Sequence, residues 1–139
     1  MILVDSSVWI DYFNARRSRE TDLLDELLGS EVLVTGDLIV TEVLQGFADD
    51  RDLRRARRAL EALAFEPMVG HNIAVASAIN YRRLRARGIT VRKTTDCLIA
   101  TFCVRGGHSL LHCDRDFDPF EQLLGLSVVH VAGQRPETS

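Results

Sequence analysis

The chain has 139 residues, of which 46% are hydrophobic and 27% charged, with a net charge of −3. This fits one soluble globular domain with a full core. No apolar run approaches the roughly 20 residues of a membrane span. The start, MILVDSSVWIDYF, has no basic leader and carries an acid where a signal peptide is apolar, so the expected compartment is the cytoplasm.

The elements follow in chain order. ILV at 2–4 is a short apolar run ending in Asp5 and reads as a buried strand. SSVWIDYF starts a helix with Ser6 or Ser7 near its cap. SRETDLLDELLGS is a second helix, with Leu23, Leu24, Leu27 and Leu28 on one face and Gly29 as its stop. EVLVT is a strand, and GDLIVTEVLQGF a helix capped by Asp37. DDRDLRRARRALEALAF is amphipathic and opens with acids, as the helix dipole prefers. FEPMV is a weak strand, and HNIAVASAINYRRLRARG a helix ended by Gly88. DCLIATFCVRGG carries no charge from Cys97 to Val104, so it is a helix buried on most sides, capped by Thr94 or Thr95. SLLHC is a strand, DPFEQLLGL a helix, and SVVHV a final strand. The domain is expected over 1–131, with 132–139 a disordered tail.

Short apolar strands alternating with helices predict an α/β fold. It is a three-layer sandwich whose mostly parallel central sheet has about five strands. Sites in such sheets form at the carboxyl ends of the strands, so the informative acids are those that follow strands.

Asp5 follows ILV directly, and with Ser6 or Ser7 available as caps it is free for another task. Glu42 lies at the edge of the apolar stripe set by Ile39, Val40, Val43, Leu44 and Phe47, with Gly46 one turn on. Asp96 stands in the first turn of the buried helix, aimed at the same end of the sheet as Asp5. Asp114 follows SLLHC as Asp5 follows ILV. Asp114, Asp116 and Asp118 alternate, and an extended chain points all three one way. Asp118-Pro119-Phe120-Glu121 has a capping-box pattern, which assigns Asp118 to structure. Asp116 is either a further ligand or a turn residue.

Carboxylates this close repel unless something positive sits between them. A cluster of Asp5, Glu42, Asp96 and Asp114 without thiolate or histidine suits a hard divalent cation, Mg²⁺ or Mn²⁺. Bound by these acids, directly or through water, such an ion activates water and stabilises charge at a phosphoryl centre. Zinc is disfavoured: no HxxxH or CxxC spacing occurs, and Cys97, Cys103 and Cys113 read as small core residues. His71 reads as a helix start, His108 as part of a turn, and His112 and His130 as core or edge residues. Of the 17 basic residues only Lys93 is a lysine. The arginines cluster in RDLRRARRAL and YRRLRARGITVRK, patterns compatible with phosphate contacts or with solvated helix faces.

VDSSVWIDYF, TEVLQGF, TTDCLIATFCV and HCDRDFD, in this order and spacing, resemble PIN-domain proteins and, within them, the VapC toxins of bacterial toxin–antitoxin pairs. The resemblance covers residues 1–131. It implies a Mg²⁺-dependent endoribonuclease with Asp5, Glu42, Asp96 and Asp114 as its catalytic acids. Asp5, Asp96, Asp114 and the extra acid Asp116 would hold one or two ions. Ser7 and Thr95 would orient water or phosphate, and Arg92 would contact RNA backbone. Hydrolysis would leave a 5′-phosphate and a 3′-hydroxyl. The resemblance further implies a small VapB antitoxin as partner, and a homodimer or a toxin–antitoxin hetero-oligomer.

Other classes fit less well. A haloacid-dehalogenase-type phosphatase needs Asp-x-Asp after its first strand, and here the second position is Ser7. A phosphotransfer receiver needs a lysine after a late strand, and Lys93 precedes a helix. A dinucleotide site lacks GxGxxG. A catalytically silent PIN-like RNA-binding or scaffold domain remains as the alternative, against the intact acid set.

Overall fold

The computed structural model describes residues 1–131; the expected tail, 132–139, lies outside the described residues. Among the described residues five strands form one sheet: β1 Ile2–Val4, β2 Leu33–Gly36, β3 Ala64–Glu66, β4 Ser109–Leu111 and β5 Ser127–Val128. Their order is β3-β2-β1-β4-β5, and every pairing is parallel. Leu3 pairs with Val34 on one side and Leu110 on the other. All three are essentially inaccessible to solvent, as expected for strands covered on both faces.

The helices are α1 Ser6–Phe13, α2 Arg19–Leu27, α3 Asp37–Leu44, α4 Asp50–Glu61, α5 Gly70–Ala86, α6 Thr94–Gly106 and α7 Asp118–Leu124. Right-handed crossovers place α1–α4 on one face of the sheet and α5–α7 on the other. The packing agrees: α1 meets α2 and α3, α3 meets α4, and α5 meets α6. The expected three layers are present. Helix α6 is the buried one, with Cys97, Ile99, Ala100, Thr101, Phe102 and Cys103 all in the core. Among the described residues, no helix is long and apolar enough to cross a membrane.

From β1 the chain moves to β2 and β3 on one side, then crosses to β4 and β5 on the other. The switch falls between β1 and β4, which is where an open parallel sheet leaves a crevice for ligands.

Several caps differ from the sequence reading. Helix α1 is capped by Asp5, whose side chain accepts the Ser7 amide, and not by Ser6 or Ser7. The cap of α3 is Gly36; Asp37 is the first helical residue, and its Oδ1 accepts the amides of Leu38 and Met68. Asp37 thus ties the exit of β2 to the chain leaving β3. Lys93 precedes α6 without a side-chain cap, so neither Thr94 nor Thr95 serves. At α7 the capping position is Phe117, and Asp118 is already helical. A single 3-10 turn, Arg115–Phe117, runs straight into α7, and Asp114 caps that turn. Gly46 lies beyond the end of α3, and Cys113 is exposed.

Candidate active site

The register of β1 and β4 sets the level of each acid. Val4 pairs with Leu111, so the residue level with Asp5 is His112, and Asp114 stands two residues further out. The Asp5 amide donates to Leu111 O at 2.9 Å, which fixes the two strand exits side by side.

Asp5 is only 3% exposed. Its Oδ2 accepts the amide of Ser7 at 3.1 Å and also the Ser7 hydroxyl. Oδ1 is buried with no hydrogen-bond partner among the described residues. Burial pushes the Asp5 carboxyl above its usual range; the Ser7 bonds and the His112 field pull it back in part, while Asp114 adds to the rise.

Glu42 comes from α3 and is half-buried. Ser6 Oγ donates to its Oε1 at 3.0 Å. Burial raises its pKa, Ser6 opposes that, the Asp5 charge adds to it, and Lys93 lowers it.

Asp96 is the third residue of α6 and 5% exposed. Its Oδ2 is buried without a hydrogen-bond partner among the described residues. Its pKa is pushed up to about 7, chiefly by burial, then by Asp5 and Asp114, with Glu42 adding less and Lys93 partly offsetting them. Four carboxylates from four segments therefore feel one another.

Asp114 Oδ1 accepts the amide of Asp116 at 2.9 Å. The tight turn brings Asp116 back over the crevice, so that Asp96, Asp114 and Asp116 each place an oxygen within 4.8 Å of the others. Asp5 and Glu42 lie outside that closest group yet within its field.

The donor set fits a hard divalent ion. It is all carboxylate oxygen, and it holds two buried, unpartnered oxygens, on Asp5 and Asp96. The raised Asp96 pKa is what such a cluster shows when no positive charge balances it.

Three neighbours escape a reading of sequence. Ser6 anchors Glu42 across 36 positions. Lys93 is the cation that acts on Asp96 and Glu42. The two residues expected beside Asp96 flank Lys93: Arg92 is exposed one residue before it, and Thr95 is half-buried one residue before Asp96. His112 is half-buried, and its Nδ1 accepts the Asp114 amide at 3.0 Å. Its pKa is lowered by burial against the opposing fields of Asp5, Asp118, Glu121 and Asp114. The other histidines lie elsewhere: His108 is buried, stacks on Phe102 and bonds Glu66, His130 bonds Glu121, and His71 is exposed.

The part of the second arginine cluster that lies on α5 is carried away from the acids, whereas Arg92 and Lys93 at its end stand beside Asp96. Cys97 Sγ donates to Ser77 O and Asn80 Nδ2 donates to Thr101 Oγ1, offsets of 20 and 21 residues. Near-constant offsets mean that α5 and α6 run side by side in the same direction. At 1.5 Å per residue, Arg83 and Arg87 then lie roughly 10 and 16 Å along the helices from the level of Asp96.

The PIN domain family model matches residues 2–122. A VapC ribonuclease from Mycobacterium bovis is 34% identical over 131 residues, covering 91% of this chain and 96% of the relative. Ribonuclease VapC11 of Mycobacterium tuberculosis matches equally. Among solved structures, the DNA-bound VapBC complex of Salmonella typhimurium contains a chain that superposes with a TM-score of 0.72 at 14% identity, covering 92% of this chain and 96% of that one. Mycobacterium tuberculosis VapC20, a toxin that cleaves the sarcin-ricin loop, superposes with a TM-score of 0.60 at 18% identity, over 85% and 93%. Sequence relatives and fold agree with the acids at the switch point: this chain belongs to the PIN-domain family and, within it, to the VapC ribonucleases.

Proposed function

We propose that the crevice between β1 and β4 is the active site of a Mg²⁺-dependent endoribonuclease toxin, with Mn²⁺ able to replace Mg²⁺. The observation that carries this is the convergence of Asp5, Glu42, Asp96 and Asp114 at the sheet's switch point, where Asp96 is driven to about 7. Asp96, Asp114 and Asp116, with Asp5 beside them, would hold the ion. When bound, the ion supplies the positive charge that lets these acids ionise together, acidifies water and stabilises charge developing on phosphorus.

The chain's own residues do the rest. Asp96 would serve as a ligand in its ionised form, which the positive charge of an ion would favour. Glu42, anchored through Oε1 by Ser6, offers Oε2 as proton acceptor for the attacking water. Ser7 commits its hydroxyl to Asp5 and fixes that carboxylate. Thr95, at the exposed start of α6, orients water or phosphate, and Arg92 and Lys93 beside it meet the RNA backbone, where basic side chains position the strand without reading its bases. Residues 1–131 act as one nuclease domain.

The toxin works in the cytoplasm, where its RNA is. A small VapB-type antitoxin neutralises it, as the VapBC assemblies formed by its fold relatives suggest, and the toxin associates as a homodimer or a toxin–antitoxin hetero-oligomer.

The deciding experiment is cleavage of total cellular RNA by the purified chain with Mg²⁺, Mn²⁺ or EDTA, beside Asp5→Asn and Asp96→Asn. Discrete cuts that vanish with EDTA and with either substitution are expected. Equal cutting by both variants would remove the site assignment. A folded protein that binds Mn²⁺ yet cuts no RNA would return the silent RNA-binding module.

A further inference from the structure

We propose that His112 is the positioning residue for Asp114: through Nδ1 it holds the Asp114 backbone amide and so aims that carboxylate at Asp96 and Asp116. This rests on the reading of those carboxylates as a metal site.

The chain leaving β4 makes two successive side-chain-to-amide bonds. His112 Nδ1 accepts from Asp114 N at 3.0 Å, and Asp114 Oδ1 accepts from Asp116 N at 2.9 Å. Each is a two-residue turn, and the second begins on the residue that the first fixes. The imidazole therefore sits at the root of the segment that delivers two of the three clustered acids. Without an acceptor at 112, the Asp114 amide turns to solvent and the segment gains freedom that ion binding must remove.

The choice of residue has a physical reason. Short side chains that accept an amide two residues on are ordinarily Asp, Asn, Ser or Thr. An aspartate at 112 would add a charge beside Asp5, Asp114, Asp118 and Glu121, the acids whose fields already reach this ring. A neutral imidazole accepts the same bond without that charge. It also fills space: the ring packs on Phe117, which is fully buried, at 4.9 Å and 53°. With Nδ1 accepting, the ring proton is on Nε2, which is buried and makes no hydrogen bond among the described residues. Neither nitrogen then has a lone pair for a metal, so His112 orients a ligand and is not one.

The test uses two variants of nearly equal shape. Asn places Oδ1, and Leu places a methyl, where His has Nδ1. Mn²⁺ affinity is measured by calorimetry on the full chain, with RNA cleavage alongside. His112→Leu should bind Mn²⁺ about tenfold or more weakly, the usual effect of losing a residue that orients a metal ligand. His112→Asn should stay within about threefold of the natural protein, since it keeps the acceptor. Nitrogen-15 imidazole spectra of the natural protein at neutral to basic pH should show His112 protonated at Nε2.

Mn²⁺ binding by His112→Leu equal to that of the natural protein would overturn the proposal, and so would equal losses in both variants. An Nδ1-protonated ring would overturn it without any substitution, and this decides the matter should the leucine variant fail to fold. Failure of the natural protein to bind Mn²⁺ would instead sink the metal reading, while the tautomer would still decide whether His112 holds the turn.

Discussion

The hydroxyl of Ser6 donates to Glu42 Oε1 at 3.0 Å, joining the start of α1 to the middle of α3. Of the two adjacent serines, Ser7 serves Asp5 and Ser6 serves Glu42. A hydrogen bond to a carboxylate is stronger than a neutral one and fixes its direction. Ser6→Ala should therefore slow RNA cleavage about tenfold, with Ser6→Thr retaining most of the rate. Steady-state cleavage of a defined RNA checks this, and an alanine variant as fast as the natural protein would free Glu42 from the role given to it.

The raised Asp96 pKa makes a prediction about stability. The folded protein without metal holds this proton up to about 7, whereas an ordinary aspartate releases it near 3.8. Folded protein thus binds more protons than the unfolded chain between those values, so this contribution is full at low pH and lost as pH rises toward 7. Asp5 and Glu42 are shifted in the same direction. In EDTA the natural protein should lose Tm from about pH 5 to about pH 8, and Asp96→Asn should lose less. Added Mn²⁺ should raise the Tm of the natural protein more at the higher pH, since the ion binds the ionised acids. Thermal unfolding at the two pH values decides, and identical slopes for the two proteins would refute the raised Asp96 pKa.

Lys93 and Arg83 separate a site cation from a remote one. Lys93 acts on Glu42 and Asp96, whereas Arg83 lies along α5 toward its far end. Lys93→Gln should raise KM for RNA several-fold and reduce the salt dependence of binding by about one ion, as for a lost phosphate contact. Arg83→Gln should change neither. Cleavage and RNA binding across a salt series give the answer, and a larger effect at Arg83 would move the RNA path to the opposite end of the helix pair.

Gly36 closes β2 where it runs against β3. A Cβ there would lie 2.5 Å from Glu66 O and would also overlap Met68. Backbone φ is extended at −157°, so the demand for glycine is one of space. Forcing a methyl in costs about 1–3 kcal/mol. Gly36→Ala should lower Tm by roughly 3–10 °C for a domain of this size, measured by circular dichroism. An unchanged Tm would mean that the two strand ends separate freely.

The strands and the helix sequence were legible because each depends on local pattern, and the four acids singled out with them, Asp5, Glu42, Asp96 and Asp114, come within one another's fields in the fold. ILV, LVT and SLL are apolar runs of strand length, and the uncharged stretch from Cys97 to Val104 announces the central helix. Acids that follow such strands point to the sheet's carboxyl end by topology alone. Composition and order thereby determined an α/β fold, a carboxylate centre and a resemblance to PIN-domain proteins.

Tertiary structure decided what depends on pairs distant in sequence. The Val4–Leu111 register makes His112 the neighbour of Asp5 and pushes Asp114 outward. The 3-10 turn, capped by Asp114, runs into α7 so that Asp118 is already helical, and it draws Asp116 into the cluster with Asp96 and Asp114. Ser6 and Lys93 reach Glu42 only through folding, and the parallel course of α5 and α6 sets the arginines of α5 apart from the acids. No periodicity encodes these relations: a hydrogen bond or a field depends on a few ångströms of separation, and only the packed sheet and its crossovers set that distance.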